Sequence, residues 1–230
     1  MNGMTTVPLR RHQIAWLNDA AWRRIQAGSW DDDARDCLAH WAAKRLPLVV
    51  TRQSHFSGGD DICMGLPAPL RWARRRLALS VARQDVVYFD EFPHAEKALG
   101  LVPDSARVAW RELCARLKAG GICARVYGSY GWQLLSGLDH VRPGSDIDLW
   151  LSVSDAGQAD AAAACLQSFS RRNLRLDGEL MFRDGAAVAW REWAAWRAGQ
   201  AMSLLVKTID GRALVRSPDW QAAAEMAEAA

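Results

Sequence analysis

The chain lacks most of the features that would sort it at a glance. None of its 230 residues falls in an apolar run long enough to span a bilayer. Residues 1–13, MNGMTTVPLRRHQ, do not contain the apolar segment of a secretory leader. The five cysteines (Cys37, Cys63, Cys114, Cys123 and Cys165) are odd in number and never spaced Cys-x-x-Cys. That argues against a disulfide framework and against a zinc site. His12, His40, His55, His94 and His140 show no metal-ligand spacing either. Neither sign of charge dominates: the net charge is +3, too little for the general basic coat of a nucleic-acid binder. No internal repeat occurs. A reducing cytoplasm is therefore the expected setting, with no membrane and no nucleic acid among the partners.

What is present is an ordinary globular composition, 50% apolar and 24% charged, enough for a real core. Twelve tryptophans are many for this length and are expected to pack in the core and between elements. Positive charge is clustered at Arg71, Arg74, Arg75 and Arg76, and again at Arg171 and Arg172. Such runs are usually solvated faces; the alternative is a contact with phosphate or an acidic partner.

Two regions differ in pattern, and together they predict an α+β protein. Residues 1–103 read as a small α+β domain. A helix is expected at 31–41, where early acids suit a helix N-terminus. Extended runs are expected at 47–52, 62–66 and 77–81, with a glycine-rich turn at 57–61. Residues 104–230 read as a second domain with a mixed sheet and flanking helices. A helix at 105–119 ends at Gly120-Gly121. Strands are expected at 122–127, 146–153 and 174–182, with a short helix at 130–135 and an alanine-rich helix at 155–172. A hairpin is expected around Asp210-Gly211, and a last helix from near Pro218.

The segment Ser145-Asp146-Ile147-Asp148-Leu149 carries the chemistry. Side chains alternate along a strand, so Asp146 and Asp148 share one face while Ile147 and Leu149 enter a core. Two adjacent carboxylates repel when both are ionised. Divalent cations neutralise such a pair and clamp the attacking and leaving oxygens of a phosphoryl group; Mg²⁺ suits the role, with Mn²⁺ as its substitute. Alone, Asp-x-Asp also describes a strand entry with solvated acids. Upstream, however, Val126-Tyr127-Gly128-Ser129 places a glycine and a hydroxyl where a strand meets a helix start. Gly128 permits close backbone approach to a phosphate, and Ser129 with the helix N–H groups supplies donors. A further acid pair, Asp177 and Glu179, shares a strand face downstream. One of the two would complete the metal site and take the nucleophile's proton, with Asp177 preferred.

Gly-Ser, then Asp-x-Asp, then a third acid on a neighbouring strand resembles the nucleotidyltransferase superfamily of polymerase-beta type. The insert from Tyr130 to Ser145 is longer than the minimal members carry, which argues against the small antitoxin-like ones. The run Val126–Gln133, then Arg142-Pro143-Gly144-Ser145-Asp146-Ile147-Asp148-Leu149, Leu176-Asp177-Gly178-Glu179-Leu180, Ala187-Val188-Ala189-Trp190-Arg191-Glu192 and Val206-Lys207-Thr208 narrow the resemblance. So do Pro47-Leu48-Val49-Val50-Thr51-Arg52 and the stretch 65–81. Together they resemble the phosphoribosyl-dephospho-CoA transferases that mature malonate decarboxylase, also called its holo-acyl-carrier-protein synthases.

The resemblance implies a reaction. A serine of the apo acyl-carrier subunit attacks the α-phosphate of 2′-(5″-triphosphoribosyl)-3′-dephospho-CoA, and pyrophosphate leaves. It also implies roles: Asp146, Asp148 and Asp177 at the metals, with Gly128 and Ser129 on the β- and γ-phosphates. Lys207, on an otherwise apolar strand, either snorkels to solvent or neutralises pyrophosphate. Arg191 and Glu192 are candidates for support around the site, and Arg52 and Arg76 for contact with the donor or an acidic carrier. Two other readings stay open: a general nucleotidyltransferase acting on a small molecule, protein or RNA, and a non-catalytic module that binds the carrier.

Overall fold

The computed structural model describes residues 8–53, 60–170 and 174–215. The expected glycine-rich turn at Ser57-Gly58-Gly59, the pair Arg171-Arg172 and the helix near Pro218 lie outside these residues. The chain is α+β and divides into two compact units between Glu91 and Phe92.

The first unit is a five-stranded antiparallel sheet in the order β4-β3-β2-β1-β5. Its strands are β1 (Gln13–Leu17), β2 (Leu48–Val50), β3 (Asp61–Pro67), β4 (Arg76–Ala82) and β5 (Val86–Glu91). Helices α1 (Asp19–Gln26) and α2 (Asp32–Lys44) complete it. Period-two alternation makes β3 and β4 a ladder with one dry face: Ile62 opposes Val81, Met64 opposes Leu79, and Leu66 opposes Leu77, all buried. Asp31 caps α2 by accepting from the Ala34 N–H at 3.0 Å. Its carboxylate also receives Arg75 through both guanidinium nitrogens at 2.5 Å, which holds the acid down at about 2. Arg71 pairs with Asp36 at 3.2 Å and lies over the Trp72 ring. Two members of the arginine run are thus structural, while Arg74, Arg76 and the more distant Arg52 are exposed.

The second unit holds a six-stranded mixed sheet in the order β11-β10-β9-β8-β7-β6. Its elements in chain order are α3 (Arg107–Ala119), β6 (Cys123–Tyr127), α4 (Gly128–Ser136), β7 (Ile147–Ser152), α5 (Ala156–Ser170) and β8 (Leu176–Met181). Then follow β9 (Ala187–Ala189), α6 (Trp190–Arg197), β10 (Leu204–Lys207) and β11 (Arg212–Val215). Only β7 and β8 run parallel, and α5 is the crossover between them. The main core lies on the sheet face that carries Ile147, Leu149, Leu151, Leu176 and Leu180; α3, α5 and α6 supply Trp110, Leu117, Leu166 and Trp193 to it.

The boundary falls at 91/92 rather than at 103/104 because the intervening residues are built into the second unit. Val126 donates its N–H to the Pro93 carbonyl, and His94 forms a bridge with Arg125. Trp110 Nε1 donates to the Ala95 carbonyl at 3.1 Å, and the Phe92 ring stands edge-on to Trp132. Those contacts tie the segment to β6, α3 and α4.

Candidate active site

Three strands converge on Asp148. In the antiparallel β6–β7 pair it faces Tyr127, and in the parallel β7–β8 pair it faces Asp177. One step further along, Trp150 faces Glu179. Alternation therefore puts Asp148, Asp177 and Glu179 on one face of the sheet, with Ile147, Leu149 and Leu151 fully buried on the other. Asp177 is exposed. Asp146 stands one residue before β7, its Oδ2 bound by Arg175 at 3.1 Å. Its Oδ1 is buried and has no hydrogen-bond partner among the described residues.

Two glycines make this geometry possible. Gly128, the first residue of α4, has φ +59°, and a Cβ there would run into the Asp148 carboxylate. The turn from β6 into α4 is thus folded directly against that carboxylate. Gly178 lies so close to the Leu149 carbonyl that a Cβ would overlap it. That approach lets β8 lie flush on β7 and sets Asp177 opposite Asp148. The α4 cap residue, Tyr127, gives no side-chain hydrogen bond to the first turn, where Gly128 and Ser129 sit. A helix N-terminus of this kind presents N–H donors to an anion.

The electrostatics are those of a site short of positive charge. Burial pushes the Asp148 carboxyl up to about 7, and the neighbouring acids Asp177, Asp146 and Glu179 push in the same direction. Among the described residues, no three His, Cys, Asp or Glu side chains gather tightly enough to make a ready-built metal cage. A hard divalent cation needs less than that, because it keeps waters and phosphate oxygens in its shell. The unsatisfied Asp146 Oδ1 and the crowded Asp148 fit such an ion.

Glu179 is 5% exposed and accepts from Lys207 Nζ at 2.9 Å. Lys207 thus reaches the same face as Asp148 and Asp177, and its charge is committed to a buried acid. Lys207→Met should lower stability by about 3–5 kcal/mol, since it leaves Glu179 buried without its cation. Pairing it with Glu179→Gln should restore most of that loss, as measured by denaturant unfolding of the single and double variants. Arg191, at the β9–α6 junction, donates to the Leu176 carbonyl at 2.9 Å and lies over the Trp190 ring. It buttresses β8 one residue from Asp177. Glu192 is exposed in the first turn of α6. Arg52 and Arg76 belong to the first unit.

The sequence reading missed Arg175. No local signal marked it: the parallel pairing that sets Asp148 against Asp177 is what brings the residue before β8 near the one before β7.

Comparison with known proteins bears on both units. The description "Phosphoribosyl-dephospho-CoA transferase MdcG N-terminal domain" matches residues 10–92, and its C-terminal-domain counterpart matches residues 94–218. The chain belongs to the phosphoribosyl-dephospho-CoA transferase family. Relatives bearing that name are similar throughout. One from Xanthomonas euvesicatoria is 32% identical over 200 residues, covering 86% of this chain and 90% of its own. One from Bradyrhizobium diazoefficiens is 34% identical over 207 residues, covering 88% of each. One from Pseudomonas putida is 30% identical over 209 residues, covering 91% of this chain and 94% of its own. No solved structure matches the chain significantly. Membership makes the chain a transferase, which removes the non-catalytic reading. No helix among the described residues is long and apolar enough to cross a membrane.

Proposed function

We propose that this transferase moves the phosphoribosyl-dephospho-CoA group from 2′-(5″-triphosphoribosyl)-3′-dephospho-CoA to a serine of the apo acyl-carrier subunit of malonate decarboxylase. It works in the cytoplasm on a polymerase-beta-type nucleotidyltransferase fold, with Mg²⁺ or Mn²⁺ as cofactor. The observation that carries this reading is the facing of Asp148 and Asp177 across two parallel strands, with Gly128 packed on the Asp148 carboxylate.

The serine oxygen forms a bond to the α-phosphorus, the bond from that phosphorus to the bridging oxygen breaks, and pyrophosphate leaves with the electron pair. Asp177, exposed at the edge of the site, accepts the hydroxyl proton. Glu179 is the weaker candidate for that role, being buried and bound to Lys207. Asp146 and Asp148 would hold the metal, which when bound neutralises the polyphosphate and polarises its P–O bonds. The first turn of α4, with the Ser129 hydroxyl, holds the β- and γ-phosphates. An ammonium has three donors, so the one Lys207 gives to Glu179 leaves capacity for a pyrophosphate oxygen. Arg191 keeps the Asp177 end of β8 in place, and Glu192 stands next to it. Arg52 and Arg76 steer the acidic carrier.

Pyrophosphate release tests the reading. It should require both the triphosphoribosyl donor and a carrier that retains its serine. If ATP or another nucleoside triphosphate supports transfer with no carrier present, the general nucleotidyltransferase reading replaces this one.

A further inference from the structure

A pocket of about 500 Å³ opens beside Asp146, below the starting ends of β7 and β8. Leu101, Val141 and Leu174 line it with apolar surface, and the buried Tyr130 closes one side. Among the described residues, Arg142 and Arg175 bring guanidinium groups to its lining, and Arg175 is paired there with Asp146. The walls are fixed by a local hydrogen-bond set. Gln133 Oε1, on α4, accepts from the N–H groups of His140 and Val141 at 3.1 and 2.8 Å. Arg142 N–H donates to Ser145 Oγ while Ser145 N–H donates to the Arg142 carbonyl. Ile147 N–H donates to the Arg175 carbonyl, which joins the two rims.

The shape and chemistry do not suit a bare polyphosphate, which is compact and offers only anionic oxygen to the walls. A volume in the hundreds of cubic ångströms, mostly apolar, with a few convergent charges, is the usual form of a site for a drug-sized organic ligand. Walls tied together by these hydrogen bonds favour a ring system over a long flexible arm. The exposed guanidinium of Arg142 at the pocket, with Arg175 held by Asp146, favours a ring that carries phosphate. We infer that this pocket seats the nucleoside-phosphate portion of the donor, with the base against Leu101, Val141 and Leu174 and a phosphate on Arg142. Asp146, shared by the pocket and the proposed metal site, then places the reacting phosphate next to the seated nucleotide. This rests on the proposed function for the identity of the donor, but not for the binding itself.

The test uses calorimetric titration of the full chain, without carrier, with AMP, 3′-dephospho-CoA, phosphopantetheine and tripolyphosphate. AMP and dephospho-CoA should bind, Arg142→Ala should weaken both roughly tenfold, and Val141→Trp should remove both. Tripolyphosphate binding should be the same in all three proteins. Arg142 is exposed, so its variant keeps the test sound if Val141→Trp fails to fold. The inference is overturned if AMP does not bind, if phosphopantetheine alone responds to the variants, or if tripolyphosphate is the ligand they lose. Binding of this pattern without carrier modification would sink the proposed function and leave the pocket standing. Carrier modification with an unchanged donor KM in both variants would do the reverse.

Discussion

Asp148→Asn should lower the transfer rate by on the order of a thousandfold or more and leave the protein folded. It should also make the metal-free protein more stable at neutral and alkaline pH. The reason is the direction of the Asp148 shift. Burial and three neighbouring acids raise its folded value to about 7, above the ~3.9 of an unfolded aspartate. A group raised in this way supports folding while protonated and loses that support as pH climbs through the folded value. Metal-free wild type should therefore lose stability between about pH 4 and pH 7, by on the order of 2–4 kcal/mol. The Asn variant should lack that slope. Thermal unfolding across pH, with and without Mg²⁺, reads both effects: the cation should stabilise wild type well above pH 7 and do little for the variant. A variant that unfolds with the wild-type slope would mean that Asp148 is not the strained acid of the site.

Gly128→Ala should cost roughly a hundredfold in rate, much more than Ser129→Ala, which removes one hydroxyl and should cost about tenfold. At φ +59° an alanine is strained by about 1–2 kcal/mol in itself. Its Cβ would also have to displace the Asp148 carboxylate, against which the turn is packed. The damage should therefore appear in kcat and in metal affinity together, because one methyl group moves both the proposed phosphate-binding turn and a proposed metal ligand. Steady-state kinetics over a range of Mg²⁺ separates the two variants. Equal, small losses in both would contradict the close packing of Gly128 on Asp148.

Much of this site was readable before folding. Asp146 and Asp148, alternating with Ile147 and Leu149, and Asp-x-Glu inside Leu176–Leu180 follow the period of a half-buried strand. The Gly128-Ser129 turn was bounded by a strand pattern before it and a helical one after. The pairing of the two acid strands was not readable. Parallel register is set by packing through α5, and the only local sign of it is Gly178, whose missing side chain lets β8 meet Leu149. Lys207 reading as either a snorkelling or a phosphate-bound residue had the same cause, since its partner Glu179 is joined to it only by the sheet. In the first unit, β1, α1 and β5 escaped notice. They are short, and β1 is interrupted by a shift in register between Trp16 and Leu17. The arginine run looked uniform, yet Arg71 and Arg75 are bound to Asp36 and Asp31 on α2 and its cap. The division was expected at 103/104, whereas the chain is already committed to the second unit from Phe92 onward by its contacts with β6 and α4.

The proposed function is the transfer of a phosphoribosyl-dephospho-CoA group to a carrier serine, with Asp148 facing Asp177 across β7 and β8 and Asp146 just before β7. Intact-mass spectrometry of apo acyl-carrier subunit, incubated with the protein, the triphosphoribosyl donor and Mg²⁺, tests it most directly. The carrier should gain the mass of the donor less pyrophosphate, on its serine, with wild type and not with Asp148→Asn. A carrier that keeps its apo mass with wild type, or gains the group equally with the Asn variant, would contradict it.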